Sequence, residues 1–560
     1  MSKLKSKKLI VIALDGATLK ILSPLMAEGL LPNISKLASD GIYGELQSVI
    51  PPITGPAWAS FMTGKNPGKH SIFEFFKRAP DGTDYPINST EVDGKTLWEI
   101  LSEVGKRVIV INVPVTYPPR EVNGVLLGDF LTPMGRRDYG FPSGIIEELE
   151  SKFGPYRLYI SEVYSPGRVD KLLDELFEVL DFRVKTACYL METRQWDFFM
   201  VHIWGTDRIQ HELWHIIDTN HPNYQNSESH LFKERVIKYF QEVDRAIGKL
   251  ISVAGKETSV MVVSDHGFGP IEKFMSFNVW LLQEGFLRLK RAPLSFLKYI
   301  FFRIGVTPKL AYKVSMKFGF AKLRLSKGVG ERIRFLRFAN RLFLSLTEVD
   351  WSKSMAYSKG NYGQIFINLK GRELRGSVEP GEQYEQVLEE IKLRLRELKD
   401  KKTGKSIIGP IYRATELYSG PYTDKAPDIT FLPADMSYKA LGTVDFTTNK
   451  FVDSVYGNSG DHRMEGILFC SGPVFKKGVK SSSANLIDIA PTILHIMGEN
   501  IPDDMDGRVL TELINDDTMS MCDVKYVSHP NAKPKIECTE YDESDKSELI
   551  KRLKDLGYIG

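Results

Sequence analysis

Cysteine is scarce in this 560-residue chain: there are four, Cys188, Cys470, Cys522 and Cys538, and no CxxC pair. That argues against a disulfide framework and against a thiolate zinc site. Long apolar runs are missing too. No stretch of about 18 or more apolar residues occurs, so no membrane-spanning helix is expected. The opening MSKLKSKKLIVIAL is basic and then apolar, but its apolar run breaks early at Asp15 and meets no small-residue cleavage site. It reads as a first strand rather than a signal peptide, and the expected location is the cytoplasm, with peripheral membrane contact as a variant. Net charge is small, +3, so the overall balance points to no nucleic-acid polymer as partner. What these absences leave is a globular protein too long for one simple core.

What is present is a series of short apolar runs: LIVIAL (9–14), VIVINV (108–113), FFMVHI (198–203), VMVVS (260–264) and GILFCSG (466–472). Runs that are apolar on both faces and alternate with helical patterns predict a parallel sheet covered on two sides. One such helical pattern is LPNISKLASDG, with Pro32 near its start and Gly41 at its end. The fold class is therefore α/β, a doubly wound sheet, in which ligands gather at the carboxyl ends of the strands.

The organisation expected along the chain has five parts. Residues 1–280 form the first part of the core, 281–351 a basic helical insertion, and 352–445 a small α/β cap. Residues 446–515 complete the core, and 516–560 form a tail with a short helix carrying Leu549, Ile550, Leu553 and Leu556 on one side. Within 286–346, fifteen Lys and Arg residues stand against one acid, Glu331, among Phe and Leu at helical spacing. Two functional readings of that stretch stay open besides a merely solvated face. It can lie on an anionic membrane surface, or it can form a lid that steers an anionic substrate, the reading preferred because it directly follows the Asp265-His266 strand.

Chemistry collects at the strand ends. LIVIAL ends in Asp15, and VMVVS runs into Asp265-His266. FFMVHI is followed by WGTDRIQHELWH, with Asp207 and His211 four apart, and His462 lies just before GILFCSG. Carboxylates and imidazoles without thiolates suit a divalent metal, zinc before manganese. The count suits two ions, Asp15, Asp265 and His266 holding one and Asp207, His211 and His462 the other. Two ions about 3.5–4 Å apart clamp the attacking and leaving oxygens of a displacement at phosphorus. A nucleophile is offered in VIPPITGPAWASFMTG by Thr54, placed before a helix whose first turn holds Pro56. A hydroxyl at a helix N-terminus meets free N–H groups that suit a phosphate.

The set IALDG, the Thr54 segment with TGKNPGKHSIFEF after it, TDRIQH, SDHGFG, GDHRMEG and IDIAPTILHIMG…MDGRVL resembles the type I phosphodiesterase/nucleotide pyrophosphatase branch of the alkaline phosphatase superfamily. The resemblance covers roughly 8–280 and 352–510. It implies an alkaline-phosphatase-like fold and two divalent ions. It also implies Thr54 as nucleophile and as ligand to the first ion, and a metal-dependent hydrolase of phosphoric esters, diesters or pyrophosphates before monoesters. The substrate would be a small anionic phosphoester attacked through a phospho-threonine intermediate. At Phe75 the chain departs from nucleotide pyrophosphatases, which carry there an asparagine that helps bind a phosphoryl oxygen. Asn112 is the substitute donor in substrate binding. The alternatives are a phosphomonoesterase or a mutase like cofactor-independent phosphoglycerate mutase and, in another class, a non-catalytic module that binds an anionic ligand. Thr54 speaks against a sulfatase, whose nucleophile derives from Cys or Ser.

Overall fold

The protein's structure is a computed structural model. It describes residues 8–556 apart from 80–81, 166, 318–342, 402, 443–445, 456, 522 and 529–540. The apolar runs become the centre of a nine-stranded sheet. Its order is Val479–Asn485, Ile42–Gln47, Glu465–Ser471, Ser259–Val263, Leu9–Leu14, Phe198–Ile203, Val108–Ile111, Gly124–Leu127 and Gly140–Phe141. Leu9–Leu14 is buried along its whole length and pairs in parallel with Phe198–Ile203 on one side and Ser259–Val263 on the other. Helices cover this sheet on both faces, the α/β arrangement that doubly apolar strands require.

The sheet is mixed rather than purely parallel. Glu465–Ser471 runs antiparallel to both its neighbours. The reason is local: Gly460–Arg463 first pairs antiparallel with Gly267–Pro270, and the chain re-enters the sheet reversed. One further strand, Val479–Asn485, closes the edge beside Ile42–Gln47. Its sequence, VKSSSAN, is polar, and only an edge strand tolerates that.

Two large hydrophobic clusters, beside a small one of Ile271, Phe274, Leu441 and Val455, organise the described residues. The larger spans Leu9 to Phe268 and Ile467 to Leu556. The smaller runs from Met275 to Phe446. The smaller contains an antiparallel sheet of Ala356–Ser358, Gln364–Ile367, Ile429–Pro433 and Ile408–Arg413, against which Glu382–Arg396 packs. Of the basic stretch, the helices Pro293–Arg303 and Pro308–Lys317 are described. Their contacts are with the smaller cluster: Phe302 with Phe446, Lys298 with Glu348 at 2.7 Å, and Lys309 with Asp453 at 2.8 Å. Its remaining basic residues from Lys322 to Arg341 lie outside the described residues. The tail helix Glu543–Asp555 docks on the larger cluster through Leu549 and Leu553. There Arg552 donates to the carbonyls of Phe130 and Thr132. No helix among the described residues is long and apolar enough to cross a membrane.

Candidate active site

Thr54 is the first residue of the helix Thr54–Thr63, whose N-cap, Ile53, supplies no side-chain hydrogen bond. The amides of that first turn therefore have no side-chain cap, the condition under which a helix N-terminus receives an anion. Thr54 Oγ1 lies 3.1 Å from His266 Nε2. Around it, Asp15, Asp207, His211, Asp265, His266 and His462 are each no more than 1% exposed. The six come from four separated parts of the chain, and the sheet order brings them together. Three are at the ends of adjacent strands, Asp207 and His211 sit one turn apart on the helix Gly205–Ile217, and His462 comes from the returning hairpin.

They form two clusters linked by His266, which also groups with Asp207 and His462 and stacks on the His462 ring with centroids 3.6 Å apart. In one, Asp207 Oδ1 is 3.3 Å from His211 Nε2 and 3.4 Å from His462 Nε2, and the two Nε2 atoms are 3.0 Å apart. His211 Nδ1 faces the carbonyl of Gly460 at 2.9 Å, and His462 Nδ1 faces that of Pro52 at 2.7 Å. A carbonyl only accepts, so each Nδ1 carries the hydrogen and each Nε2 turns a lone pair inward. Two facing lone pairs and a carboxylate oxygen fit a cation between them, and orientation by a backbone carbonyl is the usual support of a metal-binding histidine.

The other cluster is Asp15, Asp265 and His266, whose ligand atoms also lie close enough to hold one ion. His266 Nδ1 faces the carbonyl of Gly267 at 3.0 Å, leaving Nε2 directed inward. Asp265 Oδ1 accepts the amide of Gly16 at 3.2 Å, while its Oδ2 and Oδ1 of Asp15 are buried without a hydrogen bond. Gly16 has φ +63, and a Cβ there would come within 2.9 Å of Phe268 and 3.2 Å of His266, so only glycine fits after Asp15.

The electrostatics agree with two cation sites. Burial, then the charges of Asp265 and Asp207, push the Asp15 carboxyl well above its ordinary value. Burial does the same to Asp265, with Asp207 adding to it. Burial alone would also raise Asp207, but His211 and His462 outweigh it and hold it well below the carboxylate range. Carboxyls pushed up by burial and mutual repulsion are groups that a bound cation would return to the charged form.

Several residues not singled out from sequence belong to the site. His202 lies 2.8 Å from Asp15 Oδ2, and Trp58 Nε1 donates to the same oxygen at 3.3 Å. Asp461, beside His462, groups with His211 and His462 as a further possible ligand. Its Oδ1 accepts from Tyr362 and from Lys439, both at 3.0 Å. Burial would raise Asp461, but Lys439, His462 and His211 bring it down to about 2. The Tyr362 ring stacks on His462 with centroids 5.3 Å apart. Tyr362, between the strands Ala356–Ser358 and Gln364–Ile367, and Lys439 thus reach the centre from the part of the chain that carries the smaller sheet. The pairing of Asp461 with His462 in GDHR was the one signal available in advance.

Asn112 is not brought into this group. Its amide donates to the carbonyl of Gly128, and its oxygen accepts from Tyr156 at 2.6 Å. The side chain is thereby committed inside the fold rather than offered as a phosphoryl donor. Phe75 is fully buried, with its ring against Gly55 beside Thr54.

A family model described as type I phosphodiesterase / nucleotide pyrophosphatase matches residues 9–450. The chain belongs to the type I phosphodiesterase / nucleotide pyrophosphatase family. It is accordingly a hydrolase of the phosphodiesterase/pyrophosphatase type. No curated protein matches its sequence. Among solved structures, phosphonoacetate hydrolase from Sinorhizobium meliloti 1021 with phosphonoacetate aligns with a TM-score of 0.50 at 13% identity, over 87% of this chain and 94% of that one. Human ectonucleotide pyrophosphatase / phosphodiesterase 5 aligns with a TM-score of 0.46 at 12% identity, over 91% and 100% of the two chains. At 13% identity the likeness to the phosphonoacetate hydrolase is one of fold. The sheet is the alkaline-phosphatase-like α/β sheet of this family.

Proposed function

We propose that this family member cleaves phosphodiester or pyrophosphate bonds of a small anionic substrate through a phospho-threonine intermediate on Thr54. The observation that carries the reading is the position of Thr54. Its hydroxyl stands at an uncapped helix N-terminus, 3.1 Å from His266 and among buried carboxylates and imidazoles that suit two cations. Asp15, Thr54, Asp265 and His266 would hold one divalent ion, and Asp207, His211 and His462 the other. Zinc suits the mixed nitrogen and oxygen donors better than manganese. When bound, the ions supply Lewis acidity that acidifies a hydroxyl and neutralises charge on a leaving oxygen.

The chain's own residues do the rest. The Thr54 oxygen bonds to phosphorus as the bond to one alkoxy group breaks, and the hydroxyl proton is balanced by the departing alcohol. The first-turn amides stabilise the non-bridging oxygens. Water then cleaves the Thr54–phosphorus bond, releasing a phosphomonoester and restoring the hydroxyl. His202 and Trp58 hold Asp15 in place, and Tyr362 and Lys439 hold Asp461 beside His462. Residues 1–280 and 446–515 act as the catalytic core in this reading, with 352–445 as a cap over it.

The test is metal content with paired kinetics. The metal-free protein reconstituted with zinc should bind about two ions per chain and hydrolyse bis-p-nitrophenyl phosphate faster than p-nitrophenyl phosphate. Faster monoester turnover would favour a phosphomonoesterase. Failure to bind zinc would remove the metal-dependent mechanism.

A further inference from the structure

The helix Pro293–Arg303 buries Phe302 but also turns polar side chains inward and large apolar ones outward. Its polar residues Ser295 and Lys298 are buried, Lys298 in an ion pair with Glu348. On the same helix and the residue after it, Leu294, Phe296, Leu297, Ile300, Phe301 and Ile304 face outward, Phe296 at 64% and Ile304 at 69% exposure. Of the fifteen exposed large hydrophobic residues among those described, nine lie between Leu294 and Val314. Single exposed apolar side chains are unremarked on any surface, but a contiguous set on one helix marks a surface that something covers. The polarity is imposed by the fold: Lys298 and Lys309 are turned inward to Glu348 and Asp453, which fixes the opposite faces outward.

Charge decides what the occupant is. No Asp or Glu occurs between Glu284 and Glu331. Arg288, Lys290, Arg291 and Arg303, at the margins of the apolar face, are exposed. A face of Phe, Leu and Ile rimmed by cations is complementary to an anionic bilayer, whose headgroups take the cations and whose acyl boundary takes the apolar side chains.

We propose that Pro293–Arg303, continued by Pro308–Lys317, is a docking face for an anionic lipid membrane. It inserts Phe296, Phe301 and Ile304 at the acyl boundary, with Arg291 and Arg303 at the headgroups. None of these residues is among the candidate site residues, so binding does not require turnover.

Co-sedimentation of the full chain with vesicles tests this. The wild type should bind vesicles of equimolar phosphatidylglycerol and phosphatidylcholine, bind phosphatidylcholine alone far more weakly, and lose binding as salt rises. The variant Phe296→Ser/Phe301→Ser/Ile304→Ser should bind anionic vesicles at least about tenfold more weakly, with hydrolysis of a soluble diester unchanged. Should that variant fail to fold, Arg291→Gln/Arg303→Gln provides the second arm, with anionic binding reduced and binding to neutral vesicles unaltered. Absence of wild-type binding to anionic vesicles overturns the proposal, as does full binding by a folded triple variant or by the charge variant. A wild-type dimer that the triple variant converts to monomer, without vesicle binding, would give the face to a second copy and overturn it equally.

Discussion

The candidate active site and the helix Pro293–Arg303 break one rule in opposite directions. At the centre, three carboxylates and three histidines are withdrawn from water at the end of an apolar sheet. On the helix and the residue after it, six large apolar residues are turned to water while a serine and a lysine face inward beside Phe302. Burying unpaired charge is costly, and each exposed Leu, Ile or Phe forgoes about 1.5–3 kcal/mol of burial. Both inversions call for a partner from outside the polypeptide: cations in the first case, an anionic apolar surface in the second. The two regions are held by different contacts: Tyr362 and Lys439 bond to Asp461 at the site, while Lys298 and Lys309 anchor the helices to Glu348 and Asp453.

That contrast can be broken experimentally. The largest effect is expected from Thr54→Ala, which should lower kcat by at least about 10³-fold, with the thermal midpoint nearly unchanged and vesicle binding intact. A wild-type rate in this variant would mean that water attacks phosphorus directly. Asp207→Asn comes next. It should cost one of two bound ions and on the order of 10²-fold in turnover, read by elemental analysis and steady-state kinetics. Retention of both ions would remove Asp207 from the ligand set.

His202→Ala should act more mildly, by loosening Asp15. Zinc affinity should fall by about 10–100-fold, while His202→Gln, which keeps a donor, should recover part of it. Equal affinity in wild type and His202→Ala would reduce the contact to packing.

The smallest effect is a pH dependence. Asp15 and Asp265 have folded-state values raised above the unfolded ones, so the metal-free native state retains protons that the unfolded chain has released. Their contribution to stability is present below about pH 4, the unfolded value, and is lost as pH rises through the raised values. Bound zinc displaces those protons. The gap in thermal midpoint between zinc-loaded and metal-free protein should therefore widen with pH above about 4. A gap that stays flat would show that the two carboxyls are not where the cation binds.

Much of this was legible beforehand because strand ends are where doubly apolar runs must stop. Asp15, Asp207, His211, Asp265, His266 and His462 each follow or precede such a run, and the topology converts that shared position into proximity. Supporting groups were hidden for a different reason. His202 sits inside an apolar strand, where period-2 reading gives a face but not the neighbour across it. Tyr362 and Lys439 reach Asp461 from 99 and 22 residues away in sequence, and no local pattern reports such a contact. Asn112 looked available because it ends a strand, yet Gly128 and Tyr156 claim its amide. The exposed helix shows the same limit. Its 3.6-residue periodicity is visible in the sequence, but which face turns inward depends on Glu348 and Asp453, distant acids that hold its lysines.

The most direct measurement is a chemical quench of zinc-loaded protein during turnover of bis-p-nitrophenyl phosphate, followed by peptide mass spectrometry. The account predicts a phosphoryl adduct on Thr54, absent in Thr54→Ala and lost on the timescale of turnover. Turnover with no adduct on Thr54 under any quench, or an adduct on another residue, would contradict it.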